Sequence, residues 1–239
     1  MDFKLNKGNL NFRVYTVPSK PTAAGADNDI AIISSVPMKN WMMSPDKPSG
    51  IPRTDGDVWI RYSVTGETFN ALKNNSMMIA TISAWQYVND AWVDVTALSY
   101  QNGAWVMYLF INGDQCERIT GGWVCGKSGF TLGSINAAGN LYMGGSQKMF
   151  GTPGPISKGL YTKVCFEVVS VKQHSNDPSA LISIPYTPFD TSNAAIAYSR
   201  PTAPGTVKLE LPDTVTEFCI VMYSYYSDEV LEISRIWME

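Results

Sequence analysis

An all-β chain is predicted: a small hairpin-rich N-terminal β domain followed by a jelly-roll-like β-sandwich. Three observations predict it. Apolar residues alternate with polar ones or gather in short β-branched and aromatic runs. Gly, Pro, Asn and Asp cut those runs at close intervals, and helical periodicity is scarce across all 239 residues. Strands at this density build sandwiches or barrels rather than alternating βαβ units.

In chain order, KPTAAGA (20–26) and KPSGIPRT (47–54) each lead into an acidic turn and an apolar run. Those runs, DNDIAI (27–32) and DGDVWI (55–60), form a weak repeat with an offset of 28 residues. Asp55 and Asp57 suggest a calcium loop, but Asp-Gly-Asp ahead of a strand reads first as a turn. A strand follows at 58–63. TFNALKNN (68–75) is the best helical candidate, about two turns at most. YVNDAWV (87–93) and YQNGAWV (100–106) then repeat with an offset of 13 residues. Asn89-Asp90 and Asn102-Gly103 suit tight turns with positive φ, so each segment reads as a small antiparallel hairpin. Tyr87 should flank one turn with Trp92, and Tyr100 the other with Trp105, where cross-strand aromatic pairing is favourable. Duplicated units of this kind point to architecture before they point to a ligand.

Around Ile111-Asn112-Gly113-Asp114 the Trp- and Met-rich hairpins give way to longer segments punctuated by Gly and Ser. A domain boundary is therefore expected at about residue 114, dividing the chain into 1–114 and 115–239. In the second part strands are expected at 164–171, 206–211, 217–223 and 230–237, with Trp123 and Trp237 in the core.

Charged residues make up only 16% of the chain, against roughly 25% in ordinary soluble domains. Such a surface fits a protein that hides much of itself in an assembly. The net charge is −3, and Lys and Arg form no cluster, which argues against binding nucleic acid through its phosphates. No apolar stretch has the length of a signal or membrane segment, so assembly in a cytoplasm without membrane insertion is expected. Cys116, Cys125, Cys165 and Cys219 are widely spaced, and His174 is the only histidine. A structural zinc wants four closely paired ligands, so no metal and no cofactor is expected. Reduced, buried thiols are the plainer reading. A Cys116–Cys125 bridge across a hairpin is geometrically conceivable, but a reducing compartment opposes it.

GGWVCGKS (121–128) matches the nucleotide-binding P-loop pattern letter for letter, with Gly121, Gly126, Lys127 and Ser128 in place. That chemistry needs a buried parallel strand before the loop and a helix after it. DQCERIT is too polar for the strand, and GFTLGSINAAGN carries three glycines where the helix must begin. The motif is therefore read as chance, with the glycines forming turns around a strand centred on Trp123. His174 sits in a solvent-loop composition, QHSNDP, with no nucleophile motif beside it. A glycosidase needs two carboxylates some 5–10 Å apart. Asp94, Asp114, Glu117, Glu167 and Glu210 are available, and the sequence favours no pairing among them.

DGDVWIRYSVTGETFNALKNN, ISAWQYVNDAWVDVTALSYQNGAWV and YLFINGDQCERITGGW together resemble a family of tail-associated structural proteins. That family belongs to tailed phages and prophages of Firmicutes. The matching motifs lie at 56–60, 69–75, 86–94, 99–106 and 113–123, and the likeness covers about residues 1–125. Asp90 departs from the usual Gly, and DNDIAI replaces a Trp-bearing strand. The resemblance implies a non-enzymatic virion protein, assembled in a bacterial cytoplasm, that contacts other virion proteins. It also implies a homo-oligomer, with a trimer favoured. The rear part is similar to the jelly-roll sandwiches that end many phage fibre and host-recognition proteins, which implies a bacterial surface glycan as ligand. Tyr223, Tyr225, Tyr226 and Asp228, in YSYYSD, are the candidate sugar-binding residues, because that turn exposes more aromatic surface than a loop normally tolerates. The competing reading is that these tyrosines pack the sandwich or a neighbouring subunit. Two alternatives for the whole chain are a head-decoration or neck protein with a purely structural role, and an envelope-polysaccharide hydrolase.

Overall fold

The structure, a computed structural model, describes residues 3–4, 11–44, 53–65, 78–101, 103–116, 118–191 and 195–239. It is all-β as expected: no α-helix occurs among these residues. The helical candidate at 68–75 lies outside them. Two compact units divide the chain, Met1–Tyr108 and Leu109–Glu239. The division falls within the strand Ala104–Ile111, ahead of the composition change at 111–114.

The front unit holds one four-stranded arrangement twice. In the first copy Val14–Val17 runs parallel to Ile30–Ile33, which pairs antiparallel with residues 96–99. Those residues belong to the strand Ala91–Gln101, whose end pairs with Ala104–Ile111. In the second copy Trp41–Ser44 runs parallel to Val58–Thr65, which pairs antiparallel with Met78–Val88. That strand in turn pairs with residues 91–95. Ala91–Gln101 is thus shared, one half closing each copy.

The hydrogen bonds repeat with the strands. Asn28 N donates to Tyr100 O at 3.0 Å, and Gly56 N to Tyr87 O at 2.9 Å. Tyr100 N donates to Asp29 O at 2.9 Å, and Tyr87 N to Asp57 O at 2.8 Å. The offsets of 28 and 13 residues are therefore two parts of a single repeat. The copies bury their inner faces together: Val14, Ile30 and Ile32 from one share a core with Val58, Ile60 and Ala84 from the other.

Not every pairing in this unit is antiparallel: residues 18–29 supply the dozen or so residues that the parallel crossover from Val14–Val17 to Ile30–Ile33 requires. The hairpins are small, as expected, pairing 84–88 with 91–95 and 99–101 with 104–106, although the strands Met78–Val88 and Ala91–Gln101 run on to 11 residues each. The first tip also follows expectation. Asn89 and Asp90 both have positive φ, 50° and 61°, as a two-residue turn with the hairpin's twist demands. Asp57 is part of a turn, accepting from Thr54 N and Asn40 Nδ2. Tyr87 sits directly opposite Trp92 and Tyr100 opposite Trp105, with ring centroids 5.3 and 5.1 Å apart. The second pair is covered by the 20–26 segment. Trp105 Nε1 donates to Ala23 O at 2.9 Å, and a Cβ on Gly25 would stand 2.9 Å from the Trp105 ring.

The rear unit is a jelly-roll. One sheet runs Leu141–Gly144, Val230–Met238, Lys163–Lys172, Gly205–Glu210, and the other Lys148–Gly151, Val221–Ser224, Leu181–Ile184, Ala197–Ser199. All these pairings are antiparallel, and the chain changes sheet between successive strands, as at 144 to 148 or 224 to 230, except where Leu181–Ile184 is followed by its own neighbour Ala197–Ser199. That alternation defines the jelly-roll wrap. Leu141, Met143, Phe166, Leu231, Ile233 and Ile236 from one sheet, with Phe150, Ile182 and Met222 from the other, are all buried.

Trp123 is buried between Phe110 and Phe150, but it lies in a loop whose Val124 makes a single bridge to Gly151 instead of a strand. The strand expected at 217–223 is interrupted at Cys219 and Ile220, giving Glu217–Phe218 and Val221–Ser224. Trp237 is not a core residue: it is half-buried under the Arg235 guanidinium and donates to Glu239. A register shift opposite Glu167 and Val168 changes the phase of its strand, so Ile236 and Met238 point inward in its place.

Candidate functional site

The turn between Val221–Ser224 and Val230–Met238 crosses from one sheet to the other and carries Tyr225, Tyr226 and Asp228, while Tyr223 lies in the strand before it. Its anchor is Glu229, which is fully buried. The Glu229 carboxylate accepts from the amides of Tyr225 and Tyr226 at 2.8 and 3.0 Å. It also accepts from the amides of Ser179 and Ala180 at 2.8 and 3.0 Å, from the Ser179 hydroxyl at 2.7 Å and from His174 N at 3.3 Å. One side chain thereby ties the tyrosine turn to the loop at 174–180. Burial alone would raise its pKa, but the Ser179 hydroxyl and the converging amides prevail and hold it down at about 2.

Around this anchor the aromatic rings form a corner. Tyr225 is 44% exposed, and the Tyr226 ring meets it at 82°, with centroids 5.2 Å apart. The His174 imidazole stacks on Tyr226 at 4.2 Å and 25°. His174 Nδ1 lies 2.8 Å from Asp228 Oδ1, and Lys172 Nζ lies 3.8 Å from Oδ2. The hydrogen bond with His174, helped by the Lys172 charge, lowers the Asp228 pKa. Tyr226 Oη donates to Asp177 Oδ2 at 2.7 Å, which raises the phenol's pKa. Phe130 closes the inner side, 6.0 Å from Tyr225 and 5.7 Å from Tyr223.

Tyr225, Tyr226 and Asp228 therefore come together at an open corner, while Tyr223 is half-buried against Phe130. Sequence reasoning missed His174, Asp177, Phe130 and Glu229. The first two approach from a polar loop about fifty residues away, and only the acidic pair Asp228-Glu229 gave a local sign of the anchor.

The P-loop match has another role. A turn, not a helix, follows it, with Phe130 N donating to Lys127 O at 3.2 Å. Lys127 Nζ is hydrogen-bonded to the Thr191 hydroxyl. A Cβ on Gly126 would stand 2.3 Å from the Phe189 ring. Gly126→Ala should therefore cost about 1–3 kcal/mol in a denaturant melt, and millimolar ATP with magnesium should leave the melting temperature unchanged. A rise with ATP that Lys127→Ala removes would restore the nucleotide reading.

Of the carboxylates considered for hydrolysis, Glu167 faces Thr206 and Arg235, and Glu210 faces Lys163. Asp94 and Asp114 are exposed in strands, and Glu117 lies outside the described residues. Among the described residues no group of three His, Cys, Asp or Glu side chains is arranged to hold a metal ion. All four cysteines are free thiols, three of them buried.

No family model matches the chain, and no curated protein does. Among solved structures, the chain is similar to a low-affinity xylan-binding module, CBM86, from the gut symbiont Roseburia intestinalis. The identity is 10% and the TM-score 0.33, over 56% of this chain and 92% of that one. A likeness at that level carries no argument about what this chain binds.

Proposed function

We propose that the chain is a non-enzymatic structural protein of a tailed-phage particle, placed on the tail or a fibre-like appendage. Its rear unit binds a bacterial surface glycan through the tyrosine corner. The observation that carries the glycan reading is the half-exposed Tyr225 ring, its amide held by a buried carboxylate, set against Tyr226, which Asp177 and His174 flank with Asp228 behind His174. An aromatic face accepts the apolar face of a pyranose, while carboxylates and imidazole accept from its hydroxyls. The phage reading rests on the motifs at 56–60, 86–94, 99–106 and 113–123. On a particle, weak sites multiplied by identical copies give useful avidity, with trimers the expected arrangement.

The full-length protein should bind a subset of a bacterial glycan array. Tyr225→Ala should weaken that binding at least tenfold with no change in melting temperature. Silence of the wild type across the array would leave only the decorating or neck role. Equal binding by the variant would move the site elsewhere. Release of reducing ends from purified cell wall, lost in Asp228→Asn, would replace the binding role with hydrolysis.

A further inference from the structure

The glycan reading leaves open how much of a saccharide the corner grips. Building on that reading, we propose that it is a single-residue subsite, taking one uncharged pyranose at a chain end or side branch and not following a run of polysaccharide. A run of sugars is held by rings laid in line with similar tilt, so that successive residues each find a face. Here the two rings stand at 82° with centroids only 5.2 Å apart, which makes a corner one sugar wide. The His174 imidazole covers a face of Tyr226, and Phe130 leans against Tyr225 at 56°.

Among the described residues of the rear unit, no second exposed tyrosine continues the surface. Tyr198, 49% exposed, pairs with Ser183, which pairs with Val221. Two strand spacings and four residues along the strand put it ~16 Å from Tyr225, and the Arg200 guanidinium lies over its ring at 5.5 Å. Tyr186, 59% exposed, follows Leu181–Ile184 at the opposite end of that sheet from Tyr225.

The charges select further. The polar groups at the corner are the Asp177 and Asp228 carboxylates and the His174 imidazole, with Glu229 beneath them. The nearby cations are engaged, Lys172 with Asp228, Lys127 with Thr191, Lys148 with Thr131 and Arg200 over the Tyr198 ring. A uronate would bring a further negative charge to this rim without an arginine fork to receive it. A neutral sugar brings hydroxyl donors that the carboxylates accept.

The experiment is a titration of the full-length protein, read by calorimetry and by the Tyr225 ring resonances. The probes are glucose, galactose, mannose, xylose and N-acetylglucosamine, a linear hexasaccharide of each, and glucuronate. For any sugar that binds, the hexasaccharide should bind within tenfold of the monosaccharide. Glucuronate should bind more weakly than glucose, and Tyr225→Ala should abolish both signals. A hexasaccharide more than tenfold tighter, or glucuronate at least as tight as glucose, overturns the single-residue proposal while leaving glycan binding intact. Tyr225 resonances unmoved by every probe overturn the glycan reading itself, and this proposal with it.

Discussion

Glu229→Ala should lower the stability of the rear unit by about 3–5 kcal/mol, the cost of removing a buried charge on which several donors converge. The donors left behind, the amides of Tyr225, Tyr226, Ser179 and Ala180, would lose their common acceptor. Thermal melts should show a drop of roughly 10 °C for a unit of this size, together with loss of any saccharide signal. A drop under ~2 °C would mean that water or another acceptor replaces the carboxylate. The same group predicts an acid dependence. Its folded pKa, about 2, lies below the ordinary value, so its contribution is complete above about pH 4.5 and vanishes as the pH falls to about 2. That contribution is about 3 kcal/mol by linkage. The stability difference between wild type and Glu229→Ala should shrink across that window. A difference that stays constant between pH 5 and 2 would refute the depressed pKa.

Asp29→Ala should destabilise the front unit by about 3 kcal/mol, and Asp57→Ala, its counterpart in the second copy, by about 1–2 kcal/mol. Asp29 is 1% exposed. It accepts from Arg13 N at 3.0 Å, Arg13 Nε at 3.1 Å, Arg13 Nη2 at 2.5 Å and Ala26 N at 3.0 Å. Asp57, 5% exposed, accepts from Asn40 Nδ2 at 2.8 Å and Thr54 N at 3.2 Å. The two aspartates brace the same turn in the two copies, one with a guanidinium and one with an amide. Charge-assisted bonds are roughly twice as strong as neutral ones. Urea melts of the two variants should rank in that order, and the reverse ranking would show that the Arg13 ion pair contributes little.

Local features of the chain were legible in its sequence and long-range ones were not. Alternation located the strands near 58, 164, 206 and 230, and Asn89-Asp90 located a hairpin, because a turn dipeptide and its flanking aromatics are neighbours in the chain. The parallel pairing of Val14–Val17 with Ile30–Ile33 left no such mark, since a crossover loop resembles any other loop until its ends are placed. The phase of Val230–Met238 misled for a physical reason. Leu231 and Ile233 point inward, simple alternation continues that phase to Trp237, and a bulge shifts it to Ile236. At the candidate site Tyr225 was readable as an exposed aromatic in a turn, whereas Tyr223 is half-buried in the strand before it. His174, Asp177 and Ser179 reach it only through the jelly-roll's return path, which no local pattern encodes.

The shared strand Ala91–Gln101 makes the front unit indivisible. Two tandem domains can be severed at their linker, and each keeps its own walls. Here a nick at the midpoint of a single strand strips a wall from both halves at once, so neither copy can serve as an independent module or be transplanted alone.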